Sequence, residues 1–178
     1  MKVHEEHKTH APKHLKIALV IISTSRYNEI KESGHSSDKT VDIVKNILEK
    51  NETISLLSTE FVPDSADFLT TKILSLIDKE SIDAIILSGG TGLSPKDVTF
   101  ETIVPLLEKE LPGFGEIFRY LSYKEIGSSA MLSRTTAGVI KKKIVFLLPG
   151  SPNAVKLALE KLIFPELGHI VYLINKEE

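Results

Sequence analysis

Leu87-Ser88-Gly89-Gly90-Thr91-Gly92-Leu93-Ser94-Pro95-Lys96-Asp97-Val98-Thr99 decides how this chain reads. It begins where the apolar run Ala84 to Leu87 ends, and a run that short, followed at once by glycines, is a buried strand emptying into a loop. Three glycines in four positions remove Cβ atoms where the backbone must turn sharply. They also open the amide N–H groups to a ligand, and such a loop suits an anion, most often phosphate. Asp97 then offers a carboxylate a few residues on, where a phosphate-bridging Mg²⁺ needs a hard oxygen ligand. A tight strand-to-helix connection would use the same glycines, so the spacing to Asp97 carries the extra weight. The stretch is neither a Walker loop nor G-x-G-x-x-G, and Ser88 does not sit in G-x-S-x-G. Loop and carboxylate together point to nucleotide chemistry.

Outward from this stretch, strands and helices alternate. Leu15 to Ile22 is almost continuously aliphatic and reads as a strand buried on both faces, the first of a parallel sheet. Ser23-Thr24-Ser25-Arg26 follows it, and hydroxyls plus an Arg at a strand end either bind phosphate or cap a loop. Tyr27 to Ser37, polar and containing Gly34, reads as a surface loop. Ser37-Asp38 offers N-cap chemistry to a helix carrying Val41, Val44, Ile47 and Leu48 and ending near Asn51. Ile54 to Phe61 is a second strand, stopped at Pro63. Asp64 or Ser65 then caps a helix with Leu69, Ile73, Leu76 and Ile77 on one stripe.

Beyond Thr99 comes a helix with Ile103, Leu106 and Leu107 that Pro105 bends or shortens, and Pro112-Gly113 breaks the chain. Phe114, Ile117, Phe118 and Leu121 recur at helical spacing, as core or subunit packing. Thr136 to Ile140 and Ile144 to Leu148 read as two strands joined by the basic turn Lys141-Lys142-Lys143. In Pro149-Gly150-Ser151-Pro152-Asn153, Ser151 as N-cap and Pro152 at the first helical position open a helix with Val155, Ala158, Leu159 and Leu162. The free amides of that start would receive a phosphate, though a helix start alone explains the same residues. Ile170 to Ile174 reads as a closing strand. The pattern predicts a three-layer α/β/α domain with a mostly parallel sheet, with ligands at the carboxyl ends of the strands. The loop after Ile22, Asp64, the glycine loop and the Pro149 to Asn153 turn can all converge on that edge.

At 178 residues and 42% apolar, the chain fits one domain over 15–178 with a proper core. A net charge of −2 disfavours nucleic acid as a partner. The absence of cysteine excludes disulfides, thiolate metal sites and thiol nucleophiles, so any metal must be held by oxygen or imidazole. With no apolar signal segment and no run long enough to cross a membrane, a soluble, cytoplasmic protein is expected. Residues 1–14 bear His4, His7, His10 and His14 among charged neighbours. On a helix these would share a face, but with nothing apolar to dock it, a disordered polar tail is expected.

Four segments also carry a family resemblance. SGGTGLSPKDVT, LPGFGEIFRYLSYKEIG, MLSR and LPGSPNA, in this order, resemble the molybdenum-cofactor biosynthesis family that contains MoaB, MogA and the G domains of gephyrin-type proteins. The likeness covers Leu15 to the C-terminus. It implies a MogA-like fold, a homotrimer or homohexamer, and molybdopterin adenylyltransferase activity, in which Mg²⁺-ATP and molybdopterin give adenylylated molybdopterin and pyrophosphate. The family's two acidic functional positions match Asp64 and Asp97, implied to be catalytic and to hold Mg²⁺ directly or through water. Its substrate-binding positions match Ser88, Gly89, Gly90, Thr91 and Gly92, then Ser133, and Gly150, Ser151, Pro152 and Asn153. Two other readings stand beside it: a carrier that binds molybdopterin without adenylylating it, and a molybdate-insertion domain.

Overall fold

The structure, a computed structural model, describes residues 12–176. The expected N-terminal tail therefore lies mostly outside the described residues, with His4, His7 and His10; His14 is exposed. Strands β1 (Leu15–Ile22), β2 (Ile54–Val62), β3 (Ala84–Ser88), β4 (Lys109–Glu110), β5 (Thr136–Ile140) and β6 (Lys143–Leu148) form one sheet in the order β2-β1-β3-β6-β5-β4. β2, β1, β3 and β6 are mutually parallel, and β5 and β4 close the far edge antiparallel. The strands that are buried along their whole length, β3 and β6, are those built on the unbroken apolar runs Ala84 to Leu87 and Ile144 to Leu148.

Side chains alternate between two helical layers, as strand periodicity requires. Leu15, Ile17, Leu19, Ile21, Ile86, Phe146 and Leu148 pack under α2 (Lys39–Leu48), α5 (Pro112–Ile126), α6 (Pro152–Ala158) and α7 (Phe164–Asn175). Ala18, Val20, Ile22, Ile85, Leu87 and Leu147 pack under α3 (Ala66–Ile77) and α4 (Thr99–Ile103). Each fully buried Leu or Ile of these layers contributes roughly 1.5–3 kcal/mol of transfer free energy. The three-layer, mostly parallel architecture is as the alternation of elements predicts.

Two assignments are corrected. Tyr27 to Ser37 is not a loop: Thr24–Ser33 forms helix α1, with the Ser23 side chain accepting from the Arg26 N–H and Gly34 closing it at φ 75°. This helix has no buried residue, so no apolar stripe marks it in the sequence. Ile170 to Ile174 is not a strand but lies in α7, where Leu167 and Val171 face the core one turn apart. α6 runs into α7 through one π turn, Leu159–Ile163, and Pro165, which has no N–H to give the ladder, lies two residues beyond that irregular turn. Pro105 does shorten α4, which tightens into a 3₁₀ turn over Val104–Leu106. Pro112 opens α5 rather than separating it from the preceding loop. The β5–β6 turn places Lys141 and Lys142 at φ 44° and 65°, the left-handed geometry of a tight hairpin.

Register fixes where the site lies. Ile21 pairs with Ser88, and Ser88 with Leu148, so the carboxyl ends of β1, β3 and β6 stand in one row. The chain passes from β1 outward to β2 and then returns to β3 on the other side of β1, which makes β1/β3 the switch point where a crevice opens.

Candidate functional site

A cavity of about 850 Å³ occupies that crevice. It is walled by Ser23 and the first turn of α1 (Ser25, Arg26), by Asp64 after β2, by the loop after β3 (Gly89 to Gly92, Asp97) and by Gly150, Ser151 and the first turn of α6 (Asn153) after β6, with α5 closing one side. The volume falls within the ~300–1,000 Å³ of ordinary small-molecule sites.

The glycine loop is held rigidly. The Gly89 N–H donates to the Leu148 carbonyl at 3.1 Å, the Thr99 hydroxyl to the Gly89 carbonyl at 2.8 Å and the Thr99 N–H to the Gly90 carbonyl at 2.9 Å. Gly89 sits at φ 113°, and a Cβ there would overlap the Ile22 carbonyl oxygen, so β1 and the loop touch backbone to backbone. At Gly92 a Cβ would come within 2.7 Å of Asp97 Oδ2, so this glycine makes room for the carboxylate. From outside, Arg134 Nε donates to the Thr91 carbonyl at 3.1 Å while its guanidinium pairs with Glu101 and lies over the Phe100 ring.

Three carboxylates on the wall share one pattern. Asp64 Oδ2 accepts from the Thr24 N–H and hydroxyl, each at 2.8 Å. Asp97 Oδ2 accepts from the Ser94 N–H at 2.9 Å, and Asp38 Oδ1 from the Thr40 N–H at 2.6 Å. In each, one oxygen is pinned by backbone and the other is taken by no described residue, which leaves it for a ligand. Glu125 adds a fourth carboxylate, and among the described lining residues Arg26 is the only cation.

The residues singled out in the sequence are largely brought together. Asp64, Ser88, Gly89, Gly90, Thr91, Gly92, Asp97, Ser133, Gly150, Ser151 and Asn153 all line the cavity; Pro152 does not and serves as the first residue of α6. Ser88 and Thr91 are buried, their hydroxyls turned to the Pro149 and Leu148 carbonyls, and Ser133 Oγ is 2.7 Å from Thr135 Oγ1. Asp64 caps no helix of its own strand connection: Ser65 holds that position, and Asp64 reaches across to Thr24. Sequence reasoning took Asp38 only as a cap and did not single out Ser122, Glu125, Ser129 or Leu157. Phe118, Ser122 and Glu125 recur at helical spacing, and that second stripe of α5 is the signal that would have found them.

Fold and site define an α/β protein whose switch-point cavity pairs a glycine loop with half-committed carboxylates, the equipment of a phosphorylated-ligand binder. The chain belongs to the probable molybdopterin binding domain family, which it matches over residues 18–169. It is 45% identical to molybdenum cofactor biosynthesis protein B of Bacillus subtilis over 98% of both chains, and 43% identical to that of Bacillus cereus over 97% of this chain and 98% of the relative. Among solved structures, molybdenum cofactor biosynthesis protein B superposes with a TM-score of 0.83 at 42% identity, covering 94% of this chain and 99% of that one. The tungsten cofactor synthesizing protein MoaB of Pyrococcus furiosus superposes at 0.80 and 36% identity, over 93% of this chain and all of its own.

Proposed function

We propose that this protein acts in molybdenum cofactor biosynthesis by adenylylating molybdopterin with Mg²⁺-ATP, releasing pyrophosphate. The observation that carries the reading is the set of carboxylates, Asp38, Asp64 and Asp97, each with one oxygen taken by no described residue, around a glycine loop in a cavity with a single cation among its described lining residues. Four carboxylates against one guanidinium leave three unbalanced negative charges, and a polyphosphate enters such a cavity only with its own counter-cation.

The donor set fits Mg²⁺. Hard oxygens are offered and no thiolate exists, and among the described residues no group of three or more acidic or imidazole side chains forms a closed cage. An ion held by one or two carboxylates and otherwise by substrate phosphates and water is the usual arrangement for Mg²⁺. Asp64 and Asp97 are the ligands assigned here. When bound, the ion supplies charge neutralisation on the phosphates of ATP.

The terminal phosphate oxygen of molybdopterin attacks the α-phosphorus of ATP, forming the new P–O bond as the bond to pyrophosphate breaks. Such a transfer needs positioning and charge stabilisation rather than a protein nucleophile. The N–H groups of Gly90 to Gly92 are the donors assigned to the anionic ends, Ser151 and Asn153 also line the cavity, and Phe118 and Leu157 offer an apolar surface for a heterocycle. ATP-dependent pyrophosphate release, measured with and without molybdopterin, tests the reading. Release only with molybdopterin present is expected; molybdopterin binding without release would make the protein a carrier, and AMP release from supplied adenylylated molybdopterin on addition of molybdate would make it an insertion domain.

A further inference from the structure

Arg26, the sole cation among the described residues lining the cavity, is not aimed at an open site. Its Nη1 donates to Glu29 Oε1 at 2.6 Å and to the Ser37 hydroxyl, while Nε and Nη2 engage no described residue. Glu29 in turn accepts from the Ser37 N–H at 2.8 Å and from the Ser37 hydroxyl. The Ser37 N–H first, then its hydroxyl and Arg26, hold the Glu29 carboxyl below the usual carboxylate range, so it is charged at neutral pH.

We propose that Arg26 is a ligand for a substrate phosphate held in reserve by Glu29, which it exchanges for the incoming anion. The charged side chains of the wall around it are otherwise acidic, so a phosphate that reaches the first turn of α1 meets one described side-chain partner of opposite charge. The existing pair is weakly held: Arg26 and Glu29 side chains are 33% and 36% exposed, and such pairs add little in water. A guanidinium offers its fork to a phosphate in a bidentate contact that a single Nη1–carboxylate contact does not match. Glu29 is not stranded by the exchange, because the Ser37 N–H and hydroxyl remain with it. Ser37 adjoins Asp38, which caps α2 and lines the same wall, so the connection that reads the state of Arg26 also carries a cavity carboxylate.

The inference depends on the proposed function only for the identity of the anion. Its test is binding of inorganic pyrophosphate, at fixed saturating Mg²⁺, by calorimetry on the full chain. This readout needs neither pterin nor turnover, so a chain that releases no pyrophosphate from ATP still decides it. Arg26→Ala is expected to weaken binding about tenfold or more, as loss of a charge-assisted contact does. Glu29→Gln is expected to tighten it about threefold or more, because the competent fraction of Arg26 rises. In the Arg26→Ala background Glu29→Gln should have no effect, which a double-mutant cycle reads directly. Should Arg26→Ala lower the melting temperature enough to obscure binding, Arg26→Lys, which keeps charge and loses the fork, replaces it. Unchanged affinity in the Arg26 variant, or an equal Glu29→Gln effect in both backgrounds, overturns the proposal.

Discussion

Thr24 and Asp64 hold one another across the ends of neighbouring strands: the Thr24 N–H and hydroxyl both donate to Asp64 Oδ2, and the Asp64 N–H donates back to Thr24 Oγ1 at 3.0 Å. The first turn of α1 thereby sets the orientation of a proposed catalytic carboxylate. Thr24→Val should cost about 1 kcal/mol of stability, the worth of the lost hydroxyl bonds. It should lower the rate of pyrophosphate release by more than that stability loss explains, while Thr24→Ser keeps both. Thermal melting and turnover on the two variants check this, and equal turnover in Thr24→Val would separate the tether from the chemistry.

Asp97 is half-buried and has a structural task as well as the proposed metal-binding one, since it accepts from the Ser94 N–H and fills the space left by Gly92. Asp97→Ala therefore mixes two effects: about 1 kcal/mol of destabilisation from the lost acceptor, and a loss of turnover on the order of a hundredfold or more from the missing ligand. Asp97→Asn keeps the acceptor and the shape but removes the charge. It should melt within a degree or two of wild type and lose nearly as much activity; near-wild-type turnover would remove Asp97 from the site.

Ile117, Tyr120, Tyr123 and Ile126 on α5 are 52–60% exposed, and Met131 and Leu132 beyond it 77% and 54%. At three-residue steps these side chains wind around about half of α5, and exposed apolar surface of this extent is more than a small domain leaves to water without a partner, so a homo-oligomer, trimer or hexamer, is expected. Light scattering at micromolar concentration should return a multiple of 19.7 kDa. Ile117→Lys with Tyr120→Glu should shift that mass toward the monomer without unfolding it, as both side chains point outward.

Glu101 is held below the ordinary carboxylate pKa of 4.5 first by its hydrogen bond from Arg134. Its folded value lies under its unfolded one, so the stability it contributes is present above about pH 4.5 and is lost as pH falls through the folded value. With the Glu101 side chain 58% exposed, screening keeps the contribution to a few tenths of a kcal/mol. The melting-temperature difference between wild type and Glu101→Gln should accordingly shrink toward zero between pH 5 and pH 3. A constant difference across that range would mean that the pair does not couple to stability.

How much of this was legible before the structure follows from what each residue is buried against. β1, β3 and β6 announce themselves because both faces are covered, and the loops they feed had to lie on one edge once the sheet was parallel. α1 was illegible because it buries nothing, and its signals, Ser23 and Gly34, were read as loop chemistry. The run Ile170 to Ile174 was ambiguous because an aliphatic stretch that short fits a strand or a helix, and the decision came from its continuity with α6 through the π turn. Within the site, the glycine loop and both aspartates stood out through spacing and family likeness. Asp38 and Glu125 did not, since one was accounted for as a cap and the other looks like any charged residue on a helix surface. What places them at the cavity is the packing of α2 and α5 on the sheet, which is tertiary information.

Ser151 separates a capping role from a ligand role. It occupies the N-cap position of α6, with extended φ and ψ of −74° and 126°, yet its hydroxyl makes no capping bond, and it is exposed on the cavity wall. A capping serine replaced by alanine costs about 1 kcal/mol; here there is no such bond to lose, so Ser151→Ala should leave the melting temperature unchanged. The Val155 N–H already donates to the Ser151 carbonyl, a bond the substitution keeps. If the free hydroxyl donates to a phosphate of substrate, molybdopterin affinity should fall several-fold, the worth of one hydrogen bond to a charged group. Measured on the same variant, unchanged stability with weakened binding makes Ser151 a ligand. Unchanged stability with unchanged binding would leave anion recognition on this wall to the amides of Gly150 to Asn153, and the side chain would have no part in it.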